Sequence, residues 1–224
     1  MSIFSKLFGK SSKVSESKAQ PSTESASSEP SEKEIFQSPD LLAQWVMKYV
    51  VKIYSVEDDF SHAPDDEARQ NLNITYEQIE RLAREESILR AVGASFFIKQ
   101  NYDDQFYIRY FSNLYKPVAG HMYGEPTQVQ ISDTRDALEG YISSIANEED
   151  DELRDFSTQY MRRIYDDNDN YLKMMLSGIP NLAIDSFLNV FEAMRDAYYK
   201  VTQGMSYEST VKIAEALEQV KNEN

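Results

Sequence analysis

Four acidic side chains in the second half of the chain come nearest to a catalytic arrangement. Glu148, Glu149 and Glu152 lie within about one helical turn, and Asp166 follows in the next segment. Clustered carboxylates are typical ligands for Mg²⁺ in hydrolytic sites. The same acids also suit the first turn of a helix, because the helix dipole stabilises negative charge there. The string therefore has a catalytic interpretation and a structural one.

The acidic string resembles the first magnesium-binding string, Glu-Glu-x-x-Glu, of the all-α nucleotide pyrophosphohydrolases. Here it reads Glu-Glu-Asp-Asp-Glu over residues 148–152. That family has a second string, Glu-x-x-Asp, further along its chain, and the nearest counterpart here is Asp166 with Asp169. The resemblance implies a metal-dependent hydrolase, which we keep as an alternative hypothesis. No residue is assigned as catalytic.

Residues 166–170 invite comparison with a calcium-binding loop. Asp166, Asn168 and Asn170 match the first, third and fifth positions of an EF-hand, but Tyr171 replaces its glycine and Ser177 its final glutamate. Asp and Asn also favour turns. We predict a turn between two helices, with no metal and no cofactor. The chain has no cysteine, which excludes disulfides, thiolate zinc ligands and thiol catalysis.

Three side chains in the middle of the chain are candidates for contact with a partner protein. His121 and Tyr123 lie in a segment rich in Gly and Pro, residues 117–126, which is predicted to be a loop between helices. Tyr107 falls off the inward face of the predicted helix before it, so its ring is expected to be exposed. Aromatic side chains are enriched in protein interfaces.

The N-terminal residues 1–10 predict a short, basic amphipathic helix. Ile3, Phe4, Leu7 and Phe8 share one face, while Lys6 and Lys10 supply positive charge. Such a segment can insert its apolar face into an anionic membrane surface. It can equally bind a groove on a protein, including a groove on this chain's own domain. Both alternatives remain open from the sequence, as does an inert terminus.

Residues 11–36 predict a flexible low-complexity linker, because Ser, Glu and Lys dominate and apolar residues are scarce. Residues 1–36 carry five Lys and five Glu, so the whole net charge of −15 belongs to residues 37–224. A domain this acidic repels phosphate backbones, which argues against nucleic-acid binding and favours a basic protein partner. The expected location is cytoplasmic, with possible peripheral contact at the inner face of a membrane.

Residues 37–224 predict an all-α fold, a bundle-like single domain of several helices preceded by the disordered Ser/Glu-rich tail. Apolar residues recur at helical spacing, and helix-capping residues stand before the patterns. The first three predicted helices begin at Pro39, at Thr75 with Gln78 in a capping box, and at Tyr102, the last of these ending at Tyr115 because Pro117 forbids its continuation. The next two begin at Ser132 and within the acidic run 148–152, and a short helical piece follows at 171–176. The last two begin at Pro180, with an end at Gly204, and near Ser206. The small residues Ala91, Gly93 and Ala94 predict close approach of a neighbouring helix.

The function that these patterns favour is a non-enzymatic interaction or adaptor module. Its domain would bind an unidentified, basic protein partner, and its N-terminus would contact a membrane or a groove. An acidic inhibitor or immunity-type protein is a second hypothesis, and the metal-dependent hydrolase is a third.

Overall fold

Helices make up the regular structure of the described residues, so the predicted all-α fold is confirmed. The computed structural model describes residues 30–52, 75–146, 152–165, 179–209 and 212. The helices are α1 (Glu32–Gln37), α2 (Pro39–Val46), α3 (Tyr76–Asn101), α4 (Asp104–Tyr123), α5 (Gln128–Ala146), α6 (Glu152–Ile164) and α7 (Ile179–Gln203). A π-helical turn, Met47–Val51, extends α2. Within these segments, no helix is both long and apolar enough to cross a membrane.

Side-chain caps fix where the first helices begin. Ser31 and Glu34 form a reciprocal capping box at α1, with the Glu34 carboxylate accepting from the Ser31 N–H at 2.8 Å. Helix α1 therefore starts inside residues 11–36, the segment assigned by composition to the linker. Ser38 caps α2 with Pro39 in its first turn, as predicted.

The capping box at α3 and the glycine stop after α7 were also predicted correctly. The Gln78 side chain accepts from the Thr75 N–H at 2.8 Å, and the Thr75 hydroxyl accepts from the Gln78 N–H at 3.2 Å. Gly204 has φ = 70°, a conformation that glycine adopts without a Cβ penalty and that ends helices.

Two predicted helix boundaries were wrong. Helix α4 runs through Pro117 to Tyr123, although proline lacks the N–H that a helix interior needs. The buried residues Val118, Ala119 and Met122 lie beyond the proline, and their packing outweighs its local cost. Helix α5 begins at Gln128, before the predicted Ser132, because Thr127 and Gln130 form a capping pair.

Helix α3 is the centre of the fold. It packs against α4, α5, α6, α7 and the π-helical turn. Every residue from Ser87 to Ser95 is buried, so this stretch has no solvent-facing side. A helix that is covered on all sides is expected at the middle of a helical domain. Helix α3 therefore provides the surface on which α4, α5, α6 and α7 all pack.

Gly93 allows α7 to approach α3 closely, which confirms the prediction from the small residues. A Cβ placed on Gly93 would lie 2.7 Å from the backbone oxygen of Phe187 and 3.0 Å from the Cβ of Val190. These contacts leave no room for a side chain. Around this point, Phe96 and Phe97 of α3 meet Phe187 and Phe191 of α7 at ring-centre distances of 5.8–6.0 Å.

A partly buried ion network, with Glu85 at its buried end, joins α3, α5 and α6. The Arg163 Nε donates to Glu85 at 2.6 Å, and the Arg163 Nη2 donates to Asp133 at 3.0 Å. The Tyr141 hydroxyl donates to the second Glu85 oxygen at 2.9 Å. Burial raises the pKa of Glu85, against the opposing effect of Arg163. Burial alone would lower the pKa of Arg163, but the Glu85 and Asp133 carboxylates outweigh it and raise that pKa.

Candidate functional site

A groove lined by aromatic rings lies where α1, the start of α4 and the end of α7 meet. Its volume is about 450 Å³, within the range of ordinary ligand pockets. We call it the aromatic groove. It is lined by Lys33, Phe36, Gln37, Tyr102, Phe106, Tyr198, Val201 and Thr202.

Tyr102 is fixed at the junction between α3 and α4. Its hydroxyl donates to the Phe36 carbonyl oxygen at 2.9 Å, which ties α1 to this junction. Its ring stacks on Phe106 with the centres 4.2 Å apart and the planes 22° from parallel. Burial, with a smaller effect from Tyr198, raises the pKa of Tyr102 above its ordinary value.

Tyr198 forms the α7 side of the groove. Its ring meets Tyr102 edge-on at 5.8 Å and Phe36 edge-on at 6.1 Å. It also meets Phe97 of the central helix at 5.6 Å. Edge-to-face contacts of this kind add stability beyond the burial of area. Through Tyr198, the rings that line the groove therefore pack directly against the core of the domain.

The start of α4 is held in place by polar contacts outside the groove. The Asp103 carboxylate accepts from the Phe106 N–H at 2.8 Å and caps the helix. One turn further on, Arg109 pairs with Asp40 of α2, its Nε donating at 2.8 Å. The Asn113 amide donates to the same Asp40 carboxylate at 2.7 Å. These contacts fix the position of Phe106 relative to α1 and α2.

The groove is suited to binding apolar side chains. Rigid, partly exposed aromatic rings supply contact area at a low cost in conformational entropy. Nothing in its lining pairs a nucleophile with a base. Across the described ranges, no three His, Asp or Glu side chains gather as metal ligands would.

No protein family, curated protein or solved structure matches this chain.

A second, more polar cleft of about 590 Å³ lies between α5 and α6. It is lined by Asp136, Ala137, Ser144, Asp155, Thr158, Gln159, Arg162 and Arg163. Arg163 is already committed to Glu85 and Asp133. The cleft is larger than the aromatic groove, but the groove has the rigid apolar walls that a binding site needs.

Tyr107 is half-buried, which corrects the expectation of an exposed ring. It packs against the hydrophobic core, with its ring centre 5.7 Å from that of Phe111. Burial, with the nearby Glu139 carboxylate, raises the pKa of Tyr107 to about 12. Its contribution to partner binding remains a prediction.

His121 and Tyr123 lie in the last turn of α4, not in a loop. Loop geometry begins only at Gly124, whose φ is 72°. The Tyr123 ring is half-buried, with the Arg84 guanidinium 5.2 Å from its centre. Tyr107 and Tyr123 are separated by roughly 24 Å along the helix. The three predicted contact residues therefore do not form one site.

The residues of the aromatic groove were missed by the sequence interpretation. Helical periodicity in the sequence places Phe106 and Tyr198 on inward faces, and composition places Phe36 at the end of the linker. An available signal was the pair Tyr102 and Phe106, which puts two aromatic rings one helical turn apart at a helix start.

Several predicted features lie outside the described residues. They are the N-terminal segment with Ile3, Phe4, Lys6, Leu7, Phe8 and Lys10, the side chains of Glu148, Glu149 and Glu152, and the turn at 166–170. The hydrolase hypothesis depends on those acids and gains no support from the described residues.

Proposed function

We propose that the protein is a non-enzymatic interaction module whose aromatic groove binds an apolar segment of a partner protein. The structure of the groove supports this proposal. Its rings stack or meet edge-on, pack against the core of the domain and remain partly exposed to solvent. Interface hot spots are enriched in aromatic residues that sit in such pockets.

The negative charge of the domain favours a partner with positively charged side chains. Residues 37–224 carry the whole net charge of −15. Near the groove, Asp103 and Asp104 are exposed and adjoin the stacked rings in sequence. A segment with apolar side chains for the groove and Lys or Arg around them is therefore the favoured ligand, because long-range attraction raises its association rate.

The N-terminal segment is the second half of the proposal. Ile3, Phe4, Leu7 and Phe8 would enter the acyl boundary of an anionic membrane, and Lys6 and Lys10 would meet its headgroups. Flotation with anionic vesicles tests this half on the full chain. Equal flotation of wild type and the Phe4→Asp/Phe8→Asp variant would remove membrane contact from the proposal.

Replacing Phe106 with Glu is expected to weaken partner binding by about 30-fold or more, the equivalent of about 2 kcal/mol at a hot spot. The substitution removes the stacked ring and puts a charge inside the groove. The protein, tagged at its C-terminus, would be purified from its native cell at endogenous level, and the affinity for the recovered partner measured by calorimetry.

The matched control is Ile108→Glu, on the same helix two residues away. Ile108 is 62 % exposed and does not line the groove. The Ile108→Glu variant should bind the partner with an affinity close to that of wild type. Equal losses for the two variants, or none for Phe106→Glu, would remove the groove as the binding site.

An acidic inhibitor of a basic enzyme or nucleic-acid-binding protein is the second candidate, and the charge of −15 favours it. The two candidates differ in their salt dependence. Binding through the groove depends mainly on apolar burial, whereas inhibition through charge weakens steeply as salt is raised.

A further inference from the structure

We infer that, in the free protein, the aromatic groove is occupied by the chain's own N-terminal segment, residues 3–8. This inference rests on the proposed function, since it takes the groove as a binding site for short basic and apolar segments. It adds the identity of one ligand and a form of regulation. The bound segment would be withheld from the membrane, and it would compete with a partner for the same groove.

The N-terminal part of the chain joins the described structure next to the aromatic groove. The described chain begins at Pro30, and α1 starts two residues later. Lys33 and Phe36 of α1 line the groove. Lys33 is only three residues from Pro30 in the chain. The N-terminal segment is therefore attached at the rim of the groove.

The connection between residues 3–8 and α1 is long enough to let that segment reach the groove. Between Phe8 and Pro30 lie 21 residues, rich in Ser and Glu. A flexible chain of that length has a root-mean-square span of roughly 25 Å. That span reaches any point of a groove that begins beside its attachment. The effective concentration of a tethered segment is then about 1 mM, which is enough to hold a weak ligand.

The N-terminal segment also matches the chemistry of the groove and of the domain around it. Phe4 and Phe8 lie one helical turn apart in the predicted helix, as rings entering one groove would. Lys6 and Lys10 carry positive charge, and residues 1–10 contain no acid. Asp103 and Asp104, which follow Tyr102 in the sequence, are exposed and carry the opposite charge, whereas the charged residue in the groove lining itself is Lys33. Packing of apolar rings is therefore the main contact expected, and the acidic charge of residues 37–224 adds long-range attraction.

Coupling between the two proposed activities follows from this competition. A segment in the groove is not free to enter a membrane, and a partner in the groove releases the segment. Partner binding should therefore promote membrane binding, and membrane binding should promote partner binding by the same factor. At an effective concentration of about 1 mM and a dissociation constant of about 0.1 mM, occupancy weakens other groove ligands by roughly tenfold.

A nitroxide on the N-terminal segment tests the contact in the full chain. The chain has no cysteine, so Ser5→Cys supplies a single attachment point on the polar side of the predicted helix. Amide signals of Phe106, Tyr198 and Val201 would be recorded by NMR with the nitroxide oxidised and reduced. We expect strong broadening of these signals, and loss of most of it when Phe4→Asp/Phe8→Asp is added.

Two variants of α7 provide a matched comparison. Thr202 and Gln203 are neighbouring exposed residues, but only Thr202 lines the groove. Thr202→Arg introduces bulk and positive charge into the groove and should abolish the broadening. Gln203→Arg makes the same change in charge outside it and should preserve the broadening. Equal broadening in all variants would mean that only the tether brings the label near, and would overturn the inference.

Two further experiments test whether something other than the chain's own N-terminal segment occupies the groove. Mixing nitroxide-labelled chain with isotope-labelled, nitroxide-free chain detects a second copy, and broadening in that mixture would overturn docking within one chain. A synthetic peptide of residues 1–10 can be added to the full chain carrying Phe4→Asp/Phe8→Asp. If this peptide binds the groove while the wild-type chain shows no broadening, the inference fails and the groove remains a ligand site. Peptide binding that is tenfold weaker to the wild-type chain than to the Phe4→Asp/Phe8→Asp chain supports the inference.

Discussion

Replacing Glu85 with Ala is expected to lower the free energy of unfolding by about 3 kcal/mol, toward the lower end of the cost of breaking a buried ion pair. The change leaves the Arg163 guanidinium, whose side chain is 21 % exposed, without its closest carboxylate. It also leaves the buried Tyr141 hydroxyl without its acceptor. Asp133 still pairs with Arg163, which limits the loss. Urea denaturation followed by circular dichroism measures the change.

The matched control is Glu80→Ala on the same helix. Glu80 pairs with Arg84 at the surface, where its side chain is 54 % exposed. Exposed pairs of this spacing contribute about 0.3–0.5 kcal/mol. Losses of similar size for Glu85 and Glu80 would show that the network adds no more than a surface pair. Adding Arg163→Met to Glu85→Ala should recover part of the loss, because the unpaired buried charge is then gone.

Replacing Gly93 with Ala is expected to lower the free energy of unfolding by about 1–3 kcal/mol, although alanine normally favours helices. The new methyl group would lie 2.7 Å from the Phe187 backbone oxygen, an atom that cannot move without moving α7. The same substitution at Gly120, where a Cβ meets nothing within 4 Å, should instead raise stability by about 0.5–1 kcal/mol.

The opposite signs at Gly93 and Gly120 are the decisive result, and thermal denaturation of the two variants in parallel measures them. Both glycines lie inside helices, so the change in helix propensity is the same in the two variants. A stabilised Gly93→Ala protein would mean that α7 and α3 can separate without cost. The close packing of the two helices described above would then be wrong.

The helical fold could be predicted from local signals in the sequence. Ser38 with Pro39, Thr75 with Gln78, and Gly204 each act within one helical turn, so their effect is visible without the tertiary structure. Pro117 is also a local signal, but the helix end predicted from it was wrong. Residues on both sides of it are buried, and that tertiary packing outweighed a local penalty of about 3 kcal/mol.

The aromatic groove could not be predicted in the same way. Phe36, Tyr102 and Tyr198 are far apart in the sequence and meet only after α1, α4 and α7 have packed. Periodicity shows that an aromatic residue faces inward, but it does not show whether the ring is fully covered. Tyr110 is completely buried, whereas Phe106, four residues earlier on the same face, remains open to the groove.

The packing of α7 onto the centre of α3 has a consequence for synthesis of the chain on the ribosome. About 80 residues separate the end of α3 from the start of α7, so at roughly 5–20 residues per second α7 emerges several seconds later. During that interval the face of α3 around Gly93, Phe96 and Phe97 has no α7 to cover it. The nascent chain is therefore expected to expose this apolar surface until α7 emerges, and α3 and α7 can pack together only after that point.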